Sequence, residues 1–244
     1  MIISDNWASY SYEYGTSQRA IISFDRDFAL EEEHTAYLHS NRIILYIPKE
    51  LVNRETGLPS QDIYPEVQAF EKDILESLSS EEVDCKYVGK MIYGGMVDFT
   101  FQAEDQKKIQ KTIKKTFKTW KKFKLELKKE KGWRFFDEKI RPQPIFWQQI
   151  ADSQVIAELL KAGSDPEKTH VLEHNIVGPE NVLQKIGEYI QSVGLKDVSH
   201  SGDSLMVKVE SRLDIDEIFR ISGFLHNLCR ENQIQYDGWG AFVV

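Results

Sequence analysis

"VDCKYVGKMIYGGMVDFTFQ", residues 83–102, holds two strand-like runs separated by Gly94-Gly95. Two glycines between such runs mark a tight hairpin, because both turn positions favour a positive φ. In the second arm Val97, Phe99 and Phe101 alternate with Asp98, Thr100 and Gln102, which predicts one buried and one wet face. On the N-terminal side, Ile63, Val67, Phe70, Ile74 and Leu78 recur at helical spacing, and on the other side Ile109, Ile113, Phe117 and Trp120 form a second stripe. "NRIILYIP", stopped by Pro48, predicts a buried strand before the first helix, and "KFKLELKK" alternates through Phe123, Leu125 and Leu127 after the second. From residue 41 the order is β-α-β-β-α-β. "WASYSYEYG", with Tyr10, Tyr12 and Tyr14, and "RAIISFDRDF" predict two more strands ahead of it.

The same order recurs. "THVLEHNIV" reads as a strand, Gly178-Pro179 opens a helix through Val182, Leu183, Ile186, Ile190 and Val193, and Gly194 closes it. "LKDVSH" and "LMVKVE" form a hairpin about Ser201-Gly202-Asp203. Asp214 with Glu217 caps a helix through Ile215, Phe219, Leu225 and Leu228, and "IQYDGWGAFVV" is the closing strand. The expected fold is α+β, two tandem ferredoxin-like (βαββαβ) sandwiches with antiparallel sheets. Between them, "GWRFF" and the residues after it suggest a linker or edge strand, followed by a helix from Ile145 to Leu160. The expected domains are residues 1–132 and 167–244, joined by 133–166.

A chain of 244 residues suits two such domains, and 41% hydrophobic with 29% charged residues describes an ordinary soluble protein. No run of about 18 apolar residues exists to span a membrane. "MIISDNWASY" lacks the basic and apolar segments of a secretory signal. Cys85 and Cys229 stand far apart, as buried thiols in a reducing compartment do, so the expected location is cytoplasmic. The net charge of -8 is unevenly spread. Residues 1–104 carry 8 Lys/Arg against 19 Asp/Glu, residues 105–141 carry 15 against 5, and residues 142–244 carry 8 against 15. One basic segment therefore lies between two acidic stretches.

No phosphate-binding glycine loop and no nucleophile elbow is present. "HVLEH" matches the H-x-x-E-H zinc pattern through His170, Glu173 and His174. That pattern works on a helix, and Val171, Leu172, Ile176 and Val177 favour a strand. On a strand the two histidines share a face but stand roughly 13 Å apart, too far for one ion. No metal, cofactor or catalytic residue is expected. In "KKIQKTIKKTFKTWKKFKLELKKEK" the aromatics fall on the apolar stripe, so the lysines read as a solvated face, with contact to RNA or an acidic protein through Lys107, Lys111, Lys114 and Lys118 as the alternative. Trp7, Trp133 and Trp147 read as packing residues.

Three ordered blocks carry a resemblance: Gly163-Ser164-Asp165-Pro166, Glu173-His174, and Tyr236-Asp237-Gly238-Trp239-Gly240. Over about residues 145–244 they resemble the family called regulator of ribonuclease E activity B, and the N-terminal half, with its "GWRFF" crossing, resembles DUF695. The resemblance implies a non-catalytic module that binds a protein partner, a ribonuclease, and damps RNA decay. The chain departs from that family by its added N-terminal domain and by ending at Val244 without a long acidic tail. Gly238 and Gly240 allow a bend that pushes Trp239 off the regular pleat. Three readings follow: Trp239 packs on its own domain; Tyr236, Asp237 and Trp239, with Glu173 and His174, form a partner-binding patch; or the cluster is a small-molecule or catalytic site. An unrecognised hydrolase or metal-dependent enzyme with its site between domains is the rival reading. Sheet edges leave self-association open.

Overall fold

In a computed structural model of the chain, which describes residues 4–31, 37 and 39–244, Gly94 and Gly95 take φ of 52° and 74°. They close the expected hairpin between β4 (Cys85–Tyr93) and β5 (Met96–Ala103), with Tyr93 opposite Met96. Around it the chain forms β1 (Trp7–Tyr14), β2 (Gln18–Asp25), the short α1 (Arg26–Leu30), β3 (His39–Tyr46), α2 (Tyr64–Ser80), α3 (Gln106–Phe117) and β6 (Lys124–Lys131). The sheet order is β1-β2-β4-β5-β3-β6, and every pair is antiparallel. Strands β6-β3-β5-β4 are a ferredoxin-like sheet, which β2 and β1 extend at one edge.

Helices α2 and α3 lie on one face of this sheet because their apolar stripes have nowhere else to go. Val67, Phe70, Ile74 and Leu78 of α2, with Ile109 and Ile113 of α3, are buried on Ile43, Leu45, Val97, Phe99 and Phe101. Burying each such side chain stabilises the fold by about 1.5–3 kcal/mol. Phe70 sits at the centre of this layer, its ring 5.6–6.4 Å from those of Phe99, Phe117, Trp120 and Phe123.

The opposite face is not wet. Asp98, Thr100 and Gln102 are all fully buried. Residues 133–140, which the sequence suggests as a linker or edge strand, are not extended; Phe136–Ile140 is a π-helical turn with Phe136 and Ile140 buried. It lies across this face: the Tyr10 hydroxyl donates to the Ile140 carbonyl at 3.0 Å, Phe136 meets Phe28 edge-on at 4.8 Å, and the Phe135 ring lies 3.4 Å from the Arg42 guanidinium. A side chain at Gly89 would collide with Ile140 at 2.7 Å, so the glycine is what lets the turn sit down on β4. Beneath it, Arg42 donates to Asp98 and to Glu130. Burial pushes the Asp98 carboxyl up to about 6, against the pull of Arg42.

Contacts divide the chain into two compact units, Met1–Pro142 and Gln143–Val244. The second unit contains α4 (Pro144–Lys161), β7 (His170–Val177), α5 (Glu180–Ser192), β8 (Asp197–Ser201), β9 (Ser204–Ser211), α6 (Ile215–Glu231) and β10 (Gln235–Gly240). Its sheet runs β10-β7-β9-β8, again all antiparallel. The expected caps are in place: the Asp214 carboxylate accepts from the Asp216 and Glu217 amides, and Gly194, at φ 102°, ends α5. Helices α5 and α6 bury Leu183, Ile186, Ile190, Leu225 and Cys229 on Ile176, Leu205 and Val207. Cys85 and Cys229 are both free and buried, and burial pushes their thiols up to about 11 and about 12. No described helix is long and apolar enough to cross a membrane.

Candidate functional site at the closing strand

Strand β10 pairs with β7 in two registers. Tyr236 faces Ile176, but Gly238 faces Asn175 and Trp239 faces His174, so Asp237 is the extra residue of a bulge. Gly238 supports it with φ 93°, a conformation an L side chain rarely adopts. In a regular strand Tyr236 and Trp239, three residues apart, would point to opposite faces. The bulge puts both under the helices and leaves Asp237 outside.

The inner side is closed and internally bonded. His174 and Asp152 are fully buried and Trp239 is 9% exposed. The Trp239 indole N–H and the Gln148 amide each donate to Asp152 Oδ1 at 2.8 Å, and the Ser222 hydroxyl donates to Asp152 Oδ2 at 2.5 Å. One carboxylate thus ties α4, α6 and β10 together. Burial raises its pKa, and the three donors hold the rise in check. Ile156, Leu159, Leu172, Leu213 and Ile218 pack around Trp239. His174 Nδ1 and the Tyr236 hydroxyl share a hydrogen bond of 2.7 Å. Burial pulls the His174 pKa down to about 4, so the ring is neutral at pH 7. The Ser222 hydroxyl is spent on Asp152, and the Tyr236 phenol is pushed up by burial. The cluster holds tertiary structure, and it offers no activated nucleophile beside a base.

The outer side is polar and accessible. Glu173 is bonded by Lys208 at 2.7 Å, and both are about one-third exposed. Asp237 accepts from the amides of Asn175 at 3.4 Å and Gln235 at 3.1 Å, and Asn175 Oδ1 accepts from Ser204 at 2.6 Å. Glu173 pairs with Gly240. Two residues back along β7 is Val171, 44% exposed, and two residues beyond Gly240 is Phe242, 79% exposed.

The five residues singled out from sequence therefore fall into two sets. Glu173 and Asp237 are on the outer side; His174, Tyr236 and Trp239 are on the inner side. The "HVLEH" stretch is strand β7, with His170 and His174 buried on one face and Glu173 on the other. Among the described residues no group of three or more His, Cys, Asp or Glu side chains is placed to hold a metal. Sequence reasoning missed Asp152 and Ser222. Ser222 stands 70 residues from Asp152 and Trp239 stands 87 from it, and only Gln148, four residues before Asp152, is a local partner.

Known proteins divide the chain in the same way. Residues 5–139 match the family of unknown function DUF695, and residues 149–241 match regulator of ribonuclease activity B. A protein of that second name from Pseudoalteromonas translucida is 28% identical over 106 residues, which is 39% of this chain and 95% of that protein. Another from Colwellia psychrerythraea is 26% identical over 98 residues, 36% of this chain and 84% of that protein. The match to the crystal structure of an unknown protein from Galdieria sulphuraria covers 84% of this chain and 99% of that one at 11% identity, with a TM-score of 0.21. The match across more than half its length means that the chain belongs to the DUF695 family, and it carries a second unit similar to regulators of ribonuclease activity B.

Proposed function

We propose that the chain is a non-catalytic regulator that acts by direct contact with a ribonuclease-like protein, through the outer side of β7 and β10. The similarity of residues 149–241 to regulators of ribonuclease activity B supports the class of partner. One observation carries the choice of surface: the bulge at Asp237 sends a carboxylate outward while burying its aromatic neighbours. Glu173, Asn175 and Asp237 then form a polar patch, with Val171 and Phe242 as apolar anchors beside it. A few well-placed anchors inside a polar rim account for most of the energy of a protein contact. His174, Tyr236 and Trp239 belong to this surface as its support, since they fix the bulge from beneath. The test is affinity purification of the full chain, with nuclease treatment, followed by mass spectrometry. Recovery of a ribonuclease by the wild type, and its loss on Phe242→Ser, supports the proposal. Recovery of no ribonuclease, or undiminished recovery by the variant, refutes it.

A further inference from the structure

Helix α3 is half buried. Ile109, Thr112 and Ile113 face the core, and Phe117 packs against the same layer. Its other half is almost all lysine. Lys107, Lys111, Lys114 and Lys118 lie at i, i+4, i+7 and i+11, which places them on one stripe about 16 Å long. All four are exposed, and none forms an ion pair with a described residue. Neighbouring lysines do: Lys115 reaches Glu81 and Lys122 reaches Glu66. The stripe borders an open depression of about 700 Å³ whose lining is Lys107, Gln110, Lys111, Lys114, Lys115 and Lys118. The charge is felt nearby: Lys115, with Lys111 and Lys108, holds the Glu81 carboxyl below its usual range.

Four like charges at helical neighbour spacing repel one another, so the free helix face stores a modest cost that an anionic partner relieves. Among macromolecular partners, the composition of the stripe discriminates. A protein interface is depleted in lysine and needs buried apolar or aromatic anchors. Insertion into a membrane surface needs apolar side chains beside the lysines. This face has neither; Phe117 and Trp120 turn inward, and the Trp120 N–H is spent on Asp73. A nucleic-acid backbone requires only charge at the right spacing. We propose that the lysine stripe of α3 binds the phosphodiester backbone of a nucleic acid, without sequence preference. This is a second contact surface, on the other unit from the protein-binding patch, and its failure leaves that reading untouched.

The test is a fluorescence-anisotropy titration of the full chain with a mixed-sequence single-stranded RNA at 50 and 200 mM salt. It is repeated for the quadruple variant Lys107→Gln, Lys111→Gln, Lys114→Gln, Lys118→Gln, which keeps good helix formers on a solvated face. Four phosphate contacts give a log–log salt slope of about -2.8, so affinity falls about 50-fold between the two salts. The variant loses most of the affinity and most of the slope while its circular dichroism is unchanged. Absence of binding at 50 mM salt overturns the proposal. So does binding that the variant keeps, or polyglutamate bound as tightly as RNA, which assigns the stripe to an acidic protein.

Discussion

Two residues of the second unit, His174 and Trp239, each give a measurable consequence of burial. His174 is buried neutral, its pKa lowered from 6.5 to about 4 by burial. A base with a depressed folded pKa contributes stability that is whole above pH 6.5 and is lost as the pH falls toward 4. The loss over that window is roughly 3 kcal/mol. Urea unfolding at pH 7 and pH 4.5 measures it, and His174→Gln flattens the difference between the two. Trp239 gives the second. Trp239→Phe keeps the packing on Leu172 and Ile218 but removes one donor from the buried Asp152 carboxylate. The expected cost is about 1–3 kcal/mol in chemical denaturation. Trp239→Ala adds a cavity and raises the cost to about 3–5 kcal/mol. None of this pairing shows in the sequence, because Asp152 and Trp239 are 87 positions apart and neither has a local partner that predicts the other.

At the scale of elements, β10 is where sequence and structure meet most closely. Glycines at 238 and 240 announced a bend, and the bulge between Tyr236 and Gly238 is that bend. Its consequence for side-chain direction was not legible, since it depends on which residue is left unpaired against β7. Removing that residue restores a regular strand in which Tyr236 and Trp239 still share the inner face, because they become two apart. Deletion of Asp237 is therefore expected to leave the unit folded, with stability changed by no more than about 1–2 kcal/mol, while the outward carboxylate disappears. Thermal unfolding together with partner recovery measures both halves of that expectation. The hairpin at Gly94-Gly95 and the apolar stripes of α2, α3, α5 and α6 were fully readable, because tight turns and helical amphipathicity are local. The face bearing Asp98, Thr100 and Gln102 was not. Alternation marked it as wet, but the π-helical turn at Phe136–Ile140, about forty residues along, covers it, and beneath it Arg42 pairs with Asp98. Period-2 alternation reports which face is polar; whether that face meets solvent is decided by segments remote in sequence.

At the scale of the whole molecule, each unit repeats the same six-element order and yet presents a different surface. The first has a sheet whose central strand β5 is buried on both faces, and an exposed lysine stripe on α3. The second has a sheet with one face under its helices and the other bearing Glu173, Asn175 and Asp237. The charge distribution follows that division, with +10 confined to residues 105–141 in a chain of net charge -8. Opposite charges on separate surfaces suit a protein that contacts more than one partner, because each field steers its own encounter. Regulation of a ribonuclease by contact with the outer side of β7 and β10 is the proposal with the largest consequence for the cell. Its most direct measurement is the cleavage rate of the ribonuclease recovered with this chain, assayed on a labelled RNA with increasing amounts of wild-type protein or the Asp237 deletion. A saturable change in rate is expected with the wild type and a response at least tenfold weaker with the deletion; equal responses, or no change with either protein, rule that regulation out.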